Sequence, residues 1–200
     1  MGQDKGKKPV SYEDIEALPP GWVGEIVAGE LYASPRPAFG HLRVSMRLSA
    51  LLSPAFELSP TGPSGWWFLA EPELHFEPNI VVPDVAGWRR ERVPEPPDPE
   101  TPWLTAAPDW LCEVLSPSTR SLDRVRKMPL YHREGVQHAW LIDPVRRTLE
   151  VYGRGENGWV QTGLHEGNTT IRVEPFDAVP LELGLLWTPQ RSGVARSRET

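Results

Sequence analysis

The sequence is poor in cysteine, with Cys112 as its single one. One cysteine excludes an internal disulfide and any cysteine-rich zinc site. Long apolar runs are missing as well, since none reaches the ~18 residues that a membrane span requires and no apolar stretch follows the basic N-terminus. We therefore expect neither a membrane span nor a secretory signal peptide, and we predict a cytoplasmic protein.

Lysine is scarce, because Lys5, Lys7 and Lys8 lie together at the N-terminus and Lys127 is the only other one. Residues 9–190 carry 15 basic and 25 acidic side chains, which gives a net charge of −10. An acidic surface repels phosphate at long range. A nucleic-acid function would therefore need a local basic patch, the basic ends of the chain or bound cations.

The composition indicates one folded domain with many turns. Hydrophobic residues make up 39% of the chain, enough for a packed core, whereas 23 prolines and 17 glycines disfavour a helical bundle. We expect the domain over 11–188, between a basic disordered tail over 1–10 and a second disordered tail over 189–200. The proline-rich segment 89–109 is predicted to be a surface loop within one sheet.

Hydrophobic periodicity predicts an α+β fold, with a mixed, mostly antiparallel sheet flanked by two main helices. The first helix is predicted over 39–52. The second, over 116–136, connects two strands of the sheet, ends at Gly135 and is expected to kink at Pro129, because proline removes a hydrogen bond and clashes one turn back. The predicted strands are a hairpin over 21–35 with its turn at Ala28-Gly29, three strands within 65–88, and strands over 110–115, 138–143, 148–153 and 159–164 and near Ile171.

The tryptophans are predicted to divide between core and surface. Trp66, Trp110 and Trp140 fall in strand patterns and are expected in the core. Trp88 and Trp103 flank the proline-rich loop, which favours exposed positions for both.

Two carboxylates interrupt apolar strand sequences. Asp84 follows Val81-Val82-Pro83, and Glu113 lies inside Trp110–Leu115. An ionised group there costs several kcal/mol to desolvate unless it is paired or binds a cation. On adjacent strands, the two carboxylates could share one divalent cation. The alternative is a structural role, in which each is hydrogen-bonded to a cap or to an arginine.

Lys127 follows the Glu113 strand, on the second helix. Asp123 and Tyr131 each lie four residues away and share its face. The ammonium group could point back at the two carboxylates and stabilise charge on a phosphate, or it could form an ordinary helical ion pair with Asp123. The segment 120–134 has five basic and two acidic residues, so the one basic stretch of the body lies beside the predicted site.

Pro83-Asp84, then Glu113 on the next core strand and then a lysine, resemble the PD-(D/E)xK nuclease superfamily. The segments GEIVAGELYASP, VPDVAG, CEVLSPSTRSLDRVRKMPLYHREGVQHAWLIDP and VPLELGLLW are similar to the Uma-type branch of restriction endonucleases. The resemblance implies a restriction-endonuclease-like core, Mg²⁺-dependent phosphodiester cleavage, with Mn²⁺ as a substitute, and metal ligation by Asp84 and Glu113. In the superfamily's usual pattern the lysine lies two residues after the acid, where this chain has Leu115. The resemblance maps that role onto Lys127.

Four further residues are weaker candidates for the site. Glu25 and Glu30 resemble the acidic pair at the family's first hairpin, although both could be solvent-facing strand charges. His41, near a helix start, is a candidate substrate contact or a capping histidine. Glu73 precedes the Asp84 strand and could approach Asp84 as a cross-strand neighbour.

These residues together predict a DNA nuclease. Asp84, Glu113 and the backbone carbonyl of Val114 are expected to hold Mg²⁺, which activates a water, while Lys127 orients that water or neutralises developing charge. The predicted phosphate contacts are Arg120, Arg124 and Arg126. Homodimerisation would supply the two active sites that duplex cleavage needs.

Two other functions stay open at this point, as does RNA as the substrate. A non-catalytic module with the nuclease fold, binding a nucleic-acid end or a protein, is favoured by the acidic body. An acid/base enzyme acting on a small molecule could use two carboxylates, but it would make no use of Lys127 or of the arginines near it.

Overall fold

The computed structural model describes residues 8–95 and 98–188, which form an α+β domain. Most of both predicted tails lies outside the described residues. The helices are α1 (Tyr12–Glu16), α2 (Phe39–Phe56), α3 (Arg120–Leu122) and α4 (Met128–Arg133), with a π-helix over Asp123–Lys127 and a 3₁₀ turn over Leu183–Leu185. The strands are β1 (Trp22–Val27), β2 (Glu30–Pro35), β3 (Trp66–Ala70), β4 (Leu74–Phe76), β5 (Asn79–Val81), β6 (Val85–Arg89), β7 (Trp110–Val114), β8 (His138–Asp143), β9 (Thr148–Arg154), β10 (Trp159–Glu166), β11 (Thr170–Ile171) and β12 (Leu181–Glu182).

The first hairpin forms where the sequence predicts it. Ala28 and Gly29 have φ angles of 53° and 78°, the left-handed region that a two-residue hairpin turn needs at both positions. Glycine adopts this conformation freely, whereas alanine does not. The Ala28 amide donates to Asn79 Oδ1 at 2.8 Å, which fixes the turn against β5.

The strands form two main sheets where the sequence predicted one. A four-stranded sheet has the order β2-β1-β5-β4, and a six-stranded sheet has the order β10-β9-β8-β7-β6-β3. The chain passes between them at 82–84, so the segment 65–88 holds four strands and not the three predicted. Pro83 explains this break, because it lacks the amide hydrogen that would continue a ladder.

Only β7 and β8 pair in parallel in the six-stranded sheet. The segment 120–133 connects them, as predicted, because a parallel crossover needs a long connection that is usually helical. On the other side of β7, β6 pairs antiparallel with it across the proline-rich loop, also as predicted.

Both faces of the six-stranded sheet are covered. The face that packs on α2 buries the expected Trp66, Trp110 and Trp140. The opposite face buries Leu111 and Leu115 against α4 and its neighbours. Side chains alternate along a strand, so Glu113, two residues from each of these leucines, also faces α4 and the π-helix.

Trp88 corrects one expectation about the surface. Only 2% of Trp88 is exposed, whereas 39% of Trp103 is exposed. The part of the loop around Ala106 lies over Trp88, whose indole NH donates to the Ala106 carbonyl at 2.9 Å. A flanking proline-rich segment therefore buries this tryptophan.

A π-helix over Asp123–Lys127 immediately precedes the helix that contains Pro129, the residue at which a kink is predicted. The Met128 amide donates to the Asp123 carbonyl, five residues earlier. Pro129 has no amide hydrogen and its ring clashes with the carbonyl four residues before it, which disfavours regular α-helical bonding here. Single π turns within helices occur frequently at functional sites. None of the helices in the described ranges is long and apolar enough to cross a membrane.

Candidate active site

Asp84 and Glu113 come from neighbouring parts of the large sheet. Glu113 follows Leu111 on the face of β7 that packs on the helices, and 2% of it is exposed. Asp84 immediately precedes β6, which pairs with β7. The Val114 amide donates to Asp84 Oδ2 at 2.6 Å, so the backbone of β7 fixes the Asp84 carboxylate beside the Glu113 strand.

Lys127 extends from the π-helix into the same region, with 2% of the residue exposed. Its Nζ lies 2.8 Å from Glu113 Oε1 and 2.7 Å from Glu25 Oε1. Asp123, its neighbour on the helix, is further away, with Oδ1 at 3.7 Å from Nζ. The ammonium group therefore makes its two shortest charge contacts with residues of strands β7 and β1. The ion pair with Asp123 within the helix is the longest of the three.

Further hydrogen bonds hold these charged groups in place. Tyr131 OH donates to Glu113 Oε1 at 2.6 Å. The Val82 amide donates to Glu25 Oε1 at 2.8 Å, and Lys127 Nζ donates to the Val82 carbonyl at 3.2 Å. The segment between β5 and β6 is thus fixed to Glu25 on one side and to Lys127 on the other.

The carboxylates open into one cavity of about 320 Å³, here termed the central cavity. Its charged and titratable lining side chains are those of Glu25, Arg36, His41, Glu71, Asp84, Glu113, Asp123 and Lys127. The remaining lining residues come mainly from two segments: 34–38, which is the end of β2 and the loop after it, and the loop 116–119. Five carboxylates therefore face one lysine, one arginine and one histidine.

Burial and this carboxylate surplus shift the pKa values of the cavity groups. Burial raises the pKa of Glu113 well above its ordinary value, against the opposing effect of Lys127. Burial alone would lower the pKa of Lys127, but the charges of Glu113 and Glu25 outweigh it and hold that pKa well above the usual range. Lys127 is therefore a cation at neutral pH, and the site favours an additional positive charge.

His41, from the first turn of α2, contacts Asp84. Its Nε2 lies 3.2 Å from Asp84 Oδ1. Burial lowers the pKa of His41, but the hydrogen bond and the charge of Asp84 more than compensate, so the pKa is raised. Its Nδ1 is buried and has no hydrogen-bond partner among the described residues.

Glu30 and Glu73, two of the weaker candidates, are not among the residues of the central cavity. Glu30 is exposed at the hairpin, where it accepts a hydrogen bond from Tyr32 OH at 2.6 Å. Glu73 Oε1 lies 2.7 Å from His75 Nε2. The passage of the chain between two sheets at 82–84 explains why Glu73 is not a cross-strand neighbour of Asp84.

The three predicted phosphate-binding arginines also lie outside the central cavity. Arg120 Nη2 contacts Asp143 Oδ2 at 2.6 Å. Arg124 forms a bidentate ion pair with Glu150, with nitrogen–oxygen distances of 2.5 and 2.8 Å. Arg126 is exposed and has no carboxylate partner among the described residues.

Sequence reasoning missed several residues that line the central cavity or contact its lining residues. Asp123 and Tyr131 were recognised only as neighbours of Lys127 on a helix face, although their four-residue spacing was a usable signal. Glu71 and Arg36 carried no such signal, because each lies in a loop whose path depends on the tertiary fold.

The donor set of the central cavity fits Mg²⁺ better than a metal that needs many protein ligands. No group of three or more His, Cys, Asp or Glu side chains in the described part of the chain has the arrangement of a metal site. Mg²⁺, however, needs only one or two carboxylates, with waters completing an octahedron. Asp84 and Glu113 both line the cavity, and the Val114 carbonyl shares the side of β7 on which its amide meets Asp84.

Comparison with solved structures identifies the class of fold. A protein of Anabaena variabilis ATCC 29413, described as "a putative nuclease belonging to DUF820", is 21% identical. The match covers 89% of this chain and 97% of that chain, with a TM-score of 0.70. It shows that the two proteins share an α+β fold.

Comparison with family models identifies the family. The Uma2 model, described as "Putative restriction endonuclease", matches residues 10–184. The chain therefore belongs to the Uma2 family, which supports a nuclease with a nucleic-acid substrate. The comparison with curated proteins returned no match.

Replacing Asp123 tests the electrostatics of the cavity through stability. Burial raises the pKa of Asp123 from 3.8 to about 6, although Lys127 opposes the shift. Because the folded pKa exceeds the unfolded one, ionisation destabilises the fold as pH rises through about 6. In a metal chelator, Asp123→Asn should raise the free energy of unfolding by up to about 3 kcal/mol above ~pH 7 and change it little near ~pH 4.

Chemical denaturation at several pH values measures this difference. Asp177→Asn, at an exposed position, controls for the removal of one negative charge. The assigned electrostatics would be contradicted if Asp123→Asn raised the free energy of unfolding equally at both pH values, or lowered it above pH ~7.

Proposed function

We propose that this protein is a metal-dependent nuclease that hydrolyses phosphodiester bonds of DNA. The observation that carries the proposal is the buried ammonium group of Lys127, 2.8 Å from the carboxylate of Glu113 and in the same cavity as Asp84. These three residues are distant in the sequence and meet in one cavity. Membership of the Uma2 family supports the same class of reaction.

Asp84, Glu113 and the Val114 carbonyl are the proposed ligands of Mg²⁺. When bound, the ion supplies Lewis-acid chemistry, which activates water and neutralises charge on the phosphate. The carboxylate surplus of the central cavity favours such an ion, because burial already raises the pKa of Glu113. A divalent cation would offset both the burial of this carboxylate and its repulsion by neighbouring carboxylates, which together raise that pKa.

Lys127 acts in this proposal as a cation and a hydrogen-bond donor. Its raised pKa makes it a poor proton acceptor at neutral pH, so it is not assigned as the general base. An ammonium group fixed beside Glu113 orients the attacking water and stabilises negative charge that develops on the phosphate. Glu25 holds the ammonium group in position, and Tyr131 holds the Glu113 carboxylate.

His41 is proposed to position Asp84. Its Nε2 contacts Asp84 Oδ1 while the Val114 amide binds Oδ2, so both carboxylate oxygens have a partner on the protein. Such contacts to a ligating carboxylate fix its orientation and raise metal affinity.

One observation favours a non-catalytic module as the second candidate. Glu113 Oε1 is already engaged by both Lys127 and Tyr131, which reduces its capacity to bind a metal ion. A module that has lost catalysis would retain the fold and need no metal at Asp84 and Glu113.

Substitution of Lys127 tests the proposed catalytic role. Lys127→Met removes the ammonium group while filling its space, so cleavage of DNA in Mg²⁺ should slow by about 10²- to 10³-fold, the loss typical of removing one charge-stabilising donor. Arg154→Met removes a positive charge at the opposite end of the large sheet and should cut at the wild-type rate.

The fold of Lys127→Met is checked by circular dichroism, because loss of a buried partner can cost about 3 to 5 kcal/mol. Tyr131→Phe, which loses only the hydrogen bond to Glu113, provides a milder variant. Cleavage at the wild-type rate by folded Lys127→Met would refute the mechanism.

Calorimetry with Mg²⁺ and Mn²⁺ separates the enzyme from the non-catalytic module. The wild-type protein should bind either ion, and Asp84→Asn should bind at least about tenfold more weakly, a loss typical even of outer partners in metal sites. Glu73→Gln is the matched control, because Glu73 is a carboxylate outside the central cavity. Absence of metal binding by wild-type protein would favour the module.

A further inference from the structure

A second groove adjoins the central cavity and leads away from it. This side groove, of about 450 Å³, lies between β2 and the segment 118–126. It shares Ser34, Ser118 and Thr119 with the central cavity, so the two spaces are adjacent. The residues that line the side groove are Tyr32, Ala33, Ser34, Ser118, Thr119, Ser121, Leu122, Val125 and Arg126.

The arginines near these two spaces differ in whether a carboxylate already neutralises them. Arg120 and Arg124 are held by Asp143 and Glu150. Arg36 lines the central cavity and Arg126 lines the side groove. Both are exposed, and neither forms an ion pair with any residue in the described ranges.

An arginine without a carboxylate partner can bind phosphate without first losing an ion pair. A phosphate that binds a paired arginine must first displace its carboxylate. Its binding free energy is then much less favourable, because the displaced carboxylate repels the phosphate. Arg36 and Arg126 are therefore better phosphate ligands than the two paired arginines.

The rest of the side groove suits a strand of nucleic acid. Serine and threonine hydroxyls along one wall can donate to phosphate or sugar oxygens. Tyr32, on the other wall, is partly exposed and is the one aromatic ring among the lining residues. Basic grooves with aromatic side chains are the common means of binding single strands.

A single strand also fits the charge and the depth of the site better than a duplex. Duplex DNA carries about twice the charge per unit length of one of its strands, so the acidic body, with a net charge of −10, repels it more strongly. Glu113 and Lys127 lie at the base of the cavity and are each 2% exposed. A stiff duplex cannot bend into such a space, whereas a flexible strand can.

We propose that a single-stranded segment of DNA reaches the central cavity along the side groove, with its phosphates on Arg36 and Arg126. This inference rests on the proposed nuclease function and names the form of its substrate. It also replaces Arg120 and Arg124, as phosphate contacts, with an arginine from the loop between β2 and α2.

Binding measured without cleavage tests this proposal. Fluorescence anisotropy in a chelator would follow a labelled single-stranded DNA of about 12 nucleotides over a series of salt concentrations. A DNA hairpin whose duplex stem contains the same sequence would be measured in parallel. Wild-type protein should bind the single strand more tightly than the duplex. Arg36→Gln and Arg126→Gln should each lower the slope of log affinity against log salt by about 0.7, or about fivefold in affinity near 0.1 M salt.

Arg154→Gln is the matched control, since it removes an exposed arginine at the far end of the large sheet and should leave the slope unchanged. Tighter binding of the duplex, or unchanged slopes in both groove variants, would overturn the proposal. A separate cleavage assay in Mg²⁺ keeps the two claims distinct. Groove-dependent binding without cleavage would refute the nuclease function alone, and cleavage with unchanged slopes would refute the groove alone.

Discussion

The burial of the Lys127 ammonium group among carboxylates is the interaction on which the candidate site depends. A buried charge without partners would cost several kcal/mol, so the contacts at 2.7 and 2.8 Å to Glu25 and Glu113 are required for this side chain to be buried at all. Those contacts join β1 of the small sheet, β7 of the large sheet and the π-helix. The Val82 backbone, bonded to both Glu25 and Lys127, adds the segment that leads to Asp84. One ammonium group thus connects every element that contributes a proposed catalytic residue.

The charges of this cluster also indicate how an acidic protein could bind an anionic substrate. Five carboxylates line the central cavity, and a phosphate could approach them only together with cations. Lys127 supplies one fixed positive charge, and the proposed Mg²⁺ would supply two more. Internal ion pairs neutralise Arg120 and Arg124, and Arg36 and Arg126 are the arginines without a carboxylate partner among the residues that line the central cavity and the side groove. We therefore infer that the location of unpaired charge, more than the net charge, would determine where a nucleic acid binds.

The sequence predicted those features that local chemistry determines. The turn at Ala28-Gly29 and the helical connection between two strands of the sheet follow from turn residues and periodicity, and a carboxylate in the apolar strand at Glu113 was a usable signal. Other features depend on which distant segments meet. The break at Pro83 separates two sheets, which removes Glu73 from the neighbourhood of Asp84. The ion pairs of Arg120 and Arg124 with distant carboxylates were likewise invisible in the local sequence, as was the contact of Ala106 with Trp88, which was expected at the surface.

A crystal structure of the protein soaked with Mn²⁺ tests the central claim most directly. Anomalous scattering should locate one ion that is bound by oxygens of Asp84 and Glu113 and by the Val114 carbonyl. Lys127 Nζ should remain within hydrogen-bonding distance of the Glu113 carboxylate. An ion bound elsewhere, or a Lys127 side chain that turns away from Glu113 when the metal binds, would contradict the account.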